Sequence, residues 1–241
     1  MGEAKTFGSS HPPSGVIETT DGDGIRTVTL SRPDRANALT PAGLTALEAA
    51  VVEADAPVVY LHGAGEAFCG GADLDTLATF DREEAVAFAR HGQTVARAIE
   101  TSDSVVVAGV DGAARGGGVE LALACDIRVA TPDATLAEPG VALGLFGAWG
   151  GTVRLPRVVG LGEAMDLALT GRVVDAEQAR AMGLVSQVRA DPRAVAETVA
   201  GHDAAAVRTV AGLLREGGTR SAQEAREATA FGELLAERTV E

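Results

Sequence analysis

Two stretches of the chain share one design, and that design limits what the chain can fold into. Residues 58–74 read VVYLHGAGEAFCGGADL and residues 105–121 read VVVAGVDGAARGGGVEL. Each begins as an apolar, β-prone run, passes through glycines and leads towards a helix. A glycine inside a helix costs about 1 kcal/mol relative to alanine, so the run Gly116, Gly117, Gly118 predicts a loop and a helix entry. A helix start leaves backbone N–H groups without intrahelical acceptors, and the aligned peptides add partial positive charge there. With no Cβ in the way, a ligand oxygen can approach such groups closely. Two donors meeting at one oxygen would form an oxyanion hole, in which a single donor contributes about 3 kcal/mol to a transition state. The same glycines would also serve close helix–strand packing, and spacing alone does not separate the two uses.

The rest of the chain alternates in the same way. A hairpin is expected from residues 15–20 and Ile25–Leu30 around the turn sequence DGDG. SRPDRANAL follows as a loop, and residues 41–55 read as a helix with Thr40 as N-cap and Pro41 in its first turn. Helices are predicted over residues 82–100, 119–125 and through GEAMDLALTG, where Gly171 is the stop signal. DIRVAT reads as a strand and ATLAEPGVAL as a further extended stretch. DAEQARAMGLVSQV reads as helix then strand, and the alanine-rich remainder from about Asp191 as helical. Alternating strands and helices favour an α/β fold with much parallel pairing. Residues 1–14 read as a disordered tail, 15–190 as the α/β core and 191–241 as a C-terminal helical region.

Composition excludes several classes. The chain has 241 residues and a formal net charge of −14, and Lys5 is its only lysine. This acidity argues against nucleic-acid binding through phosphate neutralisation. It fits a salt-rich cytoplasm, or equally a codon bias that replaces lysine with arginine. No apolar run approaches the roughly 20 residues of a membrane span, and the N-terminal stretch lacks the apolar segment of a secretion signal. A cytoplasmic protein is expected. Cys69 and Cys125 have no metal-ligand spacing, and His11, His62, His91 and His202 are scattered. No metal is expected, and each histidine reads as a surface residue rather than a ligand. The dinucleotide, P-loop and nucleophile-elbow patterns are all missing.

Six segments, in order, resemble the crotonase family, the enoyl-CoA hydratase/isomerase superfamily: LSRPDRANAL, GAGEAFCGGADL, GVDGAARGGGVELALACDIRVA, EPGVALGL, GGTVRLPRVVG and the GR…DAEQARAMGLVSQV run. Together they cover about residues 16–188. The resemblance implies a crotonase-like spiral of ββα units with a C-terminal helical trimerisation region, and a homotrimer or hexamer. It implies an acyl-CoA substrate, no cofactor beyond the coenzyme A moiety of that substrate, and stabilisation of a thioester enolate by two amides. Those amides would be Ala72 and Gly117. Ala36, Ala38, Gly70, Ala72, Asp73, Leu74, Asp75 and Gly117 would border the coenzyme A path, with Asp73 also a candidate cap for the following turn. Arg32 and Arg35 would meet coenzyme A phosphates or simply be solvated.

Glu120 matches the first of two glutamates of the family's hydratases, the one that deprotonates the attacking water. Read without the family, it is an N-terminal helix acid, favoured in its ionised form by the dipole. The second glutamate of the pattern is replaced by Gly140 in AEPGVALG. Glu138 lies two residues earlier. In an extended segment it would be offset by about 6–7 Å, a long way for proton transfer, unless a turn at Pro139 redirects it. Otherwise Glu120 would serve as both base and acid. Trp149, the only tryptophan, would narrow the acyl pocket or pack in the core. Phe231 and Leu234 would contact the core or a neighbouring subunit. The leading expectation is hydration of a 2-enoyl-CoA. Enoyl-CoA isomerase, acyl-CoA hydrolase or decarboxylase activity, and a non-catalytic CoA-thioester binding protein, stand as alternatives.

Overall fold

The computed structural model describes residues 16–238; the expectation for residues 1–14 lies outside them. The described strands are β1 (Ile17–Gly22), β2 (Ile25–Leu30), β3 (Val58–Gly63), β4 (Ala67–Cys69), β5 (Val105–Val110), β6 (Ala113–Arg115), β7 (Ile127–Ala130), β8 (Thr135–Ala137), β9 (Val174–Asp175) and β10 (Gln187–Val188). The helices are α1 (Pro41–Val52), α2 (Leu74–Leu77), α3 (Arg82–Glu100), α4 (Gly117–Ala124), α5 (Gly151–Thr170), α6 (Ala176–Ala181), α7 (Arg193–Ala200), α8 (Ala204–Arg215) and α9 (Arg220–Arg238).

The strands form two sheets. One has the order β1-β2-β3-β5-β7-β10, the other β4-β6-β8-β9. Only the β1–β2 hairpin and the β8–β9 pair are antiparallel. The hairpin turn places Asp23 and Gly24 at φ of 52° and 74°, the left-handed pair that a two-residue turn requires. Successive turns of chain, β3–β4–α3, β5–β6–α4 and β7–β8–α5, each lay one strand in each sheet and then a helix. The result is the expected spiral of ββα units. β4 and β6 sit inside the glycine-rich stretches that read as loops, because three-residue strands leave no period to detect. ATLAEPGVAL is not extended throughout: β8 ends at Ala137, and a 3-10 turn runs from Pro139 to Leu143.

The main core fills the space between the sheets and α1, α3, α4 and α5, with Phe68, Leu121, Leu136 and Trp149 among its buried side chains. A smaller cluster lies on the other face of the large sheet, where Val195 and Ala196 of α7 meet Ile25, Tyr60 and Val107. Arg215 at the end of α8 fixes the C-terminal helices to the spiral. It donates to both carboxylate oxygens of Asp126 and to the carbonyls of Ser102 and Ser104. Phe231 of α9 remains exposed, and Phe231 and Leu234 line a groove beside the start of α8. No helix among the described residues is long and apolar enough to cross a membrane.

Candidate active site

The first glycine loop is held in place by the RANAL segment. Asn37 is buried in a left-handed conformation, with φ of 57°. Its amide donates to the carbonyls of Ala64 and Ala67, and its Oδ1 accepts from Arg32 N. Gly70 N then donates to Ala36 O, Leu39 N to Gly71 O, and Asp73 N to Leu39 O. Leu39 and Ala72 thus form an isolated parallel bridge. The bonds of that bridge come from the residues flanking Ala72, so the N–H of Ala72 points away from Leu39.

The second loop meets the first at this place. Gly116, at φ of 48°, opens α4, and its N–H donates to Ala137 O. Gly71 has φ of 89°, and a Cβ on it would lie 2.9 Å from Gly117 N and 2.7 Å from Arg115 O. The two loops can abut only because Gly71 has no side chain. Neither Ala72 N nor Gly117 N donates to a protein acceptor among the described residues. The structure therefore brings the two predicted donors into one neighbourhood.

Hydrogen bonds within the protein tie up much of the predicted coenzyme A border. Ala36 O accepts from Gly70 N, and Ala38 O accepts from Arg32 Nη1. Arg32 also donates to Asp73, 3.0 Å away, and Arg35 pairs with Asp75. Arg32 is thus part-buried, whereas Arg35 stays 42% exposed while paired. Asp73 is buried and caps α2 by accepting from the N–H and hydroxyl of Thr76. These bonds hold its carboxyl below the usual range, against the effect of its burial. Leu74 is 55% exposed.

Glu120 is 1% exposed. Its carboxylate does not serve its own helix. It accepts from Trp149 N at 2.9 and 3.0 Å and from Gly151 N at 2.6 Å, so it caps the start of α5. Burial raises its pKa; the amide donors and Arg154 oppose that rise. The expectation that the α4 dipole keeps it ionised is corrected: the stabilising donors belong to the loop of residues 147–151, GAWGG. The glycines of that loop were the available signal, since they allow a side chain to reach the amides.

Glu138 departs furthest from its sequence reading. It follows β8 at φ −111° and ψ 70°, and Pro139 opens the 3-10 turn. The chain leaves the strand direction there, so the offset calculated for an extended segment does not apply. Glu138 is 8% exposed. A single point, where a Cβ on Gly147 would stand, lies 2.9 Å from Glu120 Oε2 and 3.0 Å from Glu138 Oε2. The two carboxyl groups thus flank the bare backbone of Gly147. Glu138 Oε1 has no hydrogen-bond partner. Burial, and then the charge of Glu120, push Glu138 up to about 9. Glu138 also forms part of the wall of an apolar cavity of about 250 Å³, between the 3-10 turn and α5, with Val141, Phe146, Leu155 and Met165.

Trp149 belongs to the core. It is 3% exposed, stands edge-on to Phe88 and covers the Cα atoms of Gly92 and Gly117. His62 is half-buried, bonded to Thr29 Oγ1 and stacked on Tyr60, so it does not fit the surface reading. His11 lies outside the described residues. Among the described residues no group of three or more His, Cys, Asp or Glu is placed to hold a metal ion.

A family model described as enoyl-CoA hydratase/isomerase matches residues 20–231. The short-chain-enoyl-CoA hydratase of Clostridium acetobutylicum is 38% identical over 169 residues, 68% of this chain and 65% of that protein. The crotonyl-CoA hydratase of Syntrophomonas wolfei is 41% identical over 164 residues, 66% of this chain and 63% of that protein. The matched segment thus spans just under two thirds of the length of these two relatives. A crystal structure of an enoyl-CoA hydratase from Bacillus anthracis has a TM-score of 0.86 at 32% identity, covering 92% of this chain and 91% of that one.

Proposed function

The chain belongs to the enoyl-CoA hydratase/isomerase family, and from that membership we propose that it adds water to the double bond of a 2-enoyl-CoA. In this reading the N–H groups of Ala72 and Gly117 donate to the thioester oxygen. They take up the charge that forms there when hydroxide character is delivered to the β-carbon. Glu120 is the base that removes the proton of the attacking water. The observation that carries the proposal is the contact of the two glycine loops at Gly71 and Gly117, beside two N–H groups without protein acceptors. Donors fixed before the reaction need no reorganisation as the charge develops, which is why such an arrangement is catalytic.

The test is disappearance of the enoyl thioester of crotonyl-, hexenoyl- and decenoyl-CoA, with product identified as the 3-hydroxyacyl-CoA. Turnover of at least one is expected. Failure on all three, with folded protein at several salt concentrations, would remove the hydratase reading.

One observation favours a second reading. The carboxylate of Glu120 is held by two backbone amides, as a purely structural cap would be. In a non-catalytic acyl-CoA binding protein it would be no more than that. Tight binding of an acyl-CoA with no turnover and no exchange of its protons would select this alternative.

The assembly proposed is a homotrimer or a pair of trimers in the cytoplasm. Phe231 at 69% exposure and Leu214 at 81% leave apolar surface on the C-terminal helices of a single subunit. A molar mass in solution of three or six subunits is expected by light scattering; a monomer would overturn this assignment.

A further inference from the structure

The family pattern places its second carboxylate where this chain has Gly140, so a hydratase built on this sequence needs another source for the α-carbon proton. At Gly140 no side chain fits: a Cβ would stand 2.8 Å from Phe146 Cα and 3.1 Å from Phe146 N, both backbone atoms. The loop has closed over that position. The same turn carries Glu138 inward to face Glu120 across Gly147, with one carboxyl oxygen unbonded at the wall of an apolar cavity.

We infer that Glu138 is the proton donor to the α-carbon, taking the place of the residue missing at position 140. The inference rests on the hydratase reading above. The two carboxyl groups divide the work because their surroundings differ. Glu120 has amide donors on both oxygens, which suit a carboxylate. Glu138 has an unbonded oxygen and apolar neighbours, which suit the neutral acid. Two facing carboxyls of unlike environment settle as one acid and one base.

Glu120 takes a proton from water as the water oxygen bonds to the β-carbon. The π pair moves to the α-carbon and the thioester oxygen, giving an enolate held by the two amides. The enolate re-forms its carbonyl as the α-carbon takes the proton of Glu138. Glu120 is left protonated and Glu138 ionised. Transfer of one proton across Gly147 restores the starting state, and the net change is addition of one water.

Glu138→Gln tests this. The titratable group facing Glu138 is Glu120 of α4. Arg154 of α5 acts on Glu120 and is paired with Glu100. No other charged side chain lines the cavity. As Glu138 is lifted from 4.5 to about 9, the native state keeps a proton that the unfolded chain releases. Stability therefore falls as pH rises across that interval, and a glutamine is free of this loss. The variant is expected to melt no lower than the parent near neutral pH.

Its turnover is expected to fall about 10²–10⁴-fold, the range for loss of a general acid, with KM changed by less than about threefold. Exchange of the α-protons of butyryl-CoA into heavy water is expected to fall in parallel. The decline in parental activity near pH 9 should disappear in the variant. Glu138→Gln within twofold of the parent in turnover and exchange would overturn the inference and leave the hydratase reading standing. A parent that exchanges α-protons but hydrates nothing, with exchange lost in the variant, would overturn the hydratase reading and leave Glu138 in its role. A parent that does neither overturns both.

Discussion

Replacing Glu120 with glutamine is expected to lower the turnover of a 2-enoyl-CoA by about 10²–10⁴-fold, the contribution of a positioned general base. The carboxylate is buried and accepts from Trp149 N and Gly151 N. A glutamine offers one oxygen to those donors and sets its NH₂ against another N–H. That mismatch costs about 1–3 kcal/mol, so the variant should also melt at a lower temperature. The two effects can be separated. A base role predicts loss of turnover that persists at temperatures where the variant is fully folded, with retained binding of an acyl-CoA. A capping role alone predicts lower stability with parental turnover per folded molecule. The pH dependence has a definite sign. Burial raises the pKa of Glu120 above its ordinary 4.5, and the base must be ionised to act. Activity should therefore decline as pH falls through that raised value, and the residual activity of Glu120→Gln should lack this acid limb.

The parts of this site that were legible in the sequence are those made by neighbouring residues. Glycines 116–118 before an acid and an apolar run announce a helix entry, and α4 begins at Gly117. Pro41 after Thr40 announces α1, which Thr40 caps by accepting from Gly43 N. Gly171 ends α5 in a left-handed conformation, as its position after an apolar helix suggested. The parts that were not legible depend on partners distant in the chain. Asn37 reaches the carbonyls around β4, and Arg32 and Arg35 find Asp73 and Asp75. Nothing local to either segment encodes these pairs. The approach of Glu138 to Glu120 depends on one turn at Pro139, and a proline can end a strand without stating where the preceding side chain goes. The second sheet has no local signature, because β4, β6 and β9 are two or three residues long, too short for alternation to appear.

Trp149→Ala is expected to produce the largest loss of stability, about 3–5 kcal/mol, as for other buried aromatic truncations. The indole occupies space that two glycines leave open from different directions. A Cβ on Gly92 would stand 2.0 Å from its Cδ1, and one on Gly117 would stand 2.4 Å from its Cζ3. Phe88 meets it edge-on at 5.8 Å and in turn meets Phe80 at 5.5 Å. Apart from Phe88, the surfaces that face the indole at Gly92 and Gly117 are bare backbone of α3 and α4, which cannot move into the space that truncation creates. At this chain length the loss corresponds to a fall in melting temperature on the order of 10 °C. The backbone N–H of Trp149 still reaches Glu120, so the base keeps that donor. What is lost is the wall behind Gly117, one of the two proposed oxyanion donors. Turnover should therefore fall along with stability, and Trp149→Phe should recover part of both. A Trp149→Ala protein that melts within 2 °C of the parent would show that the indole does not brace α3 against α4. In that case the close approach at Gly117 would need another explanation.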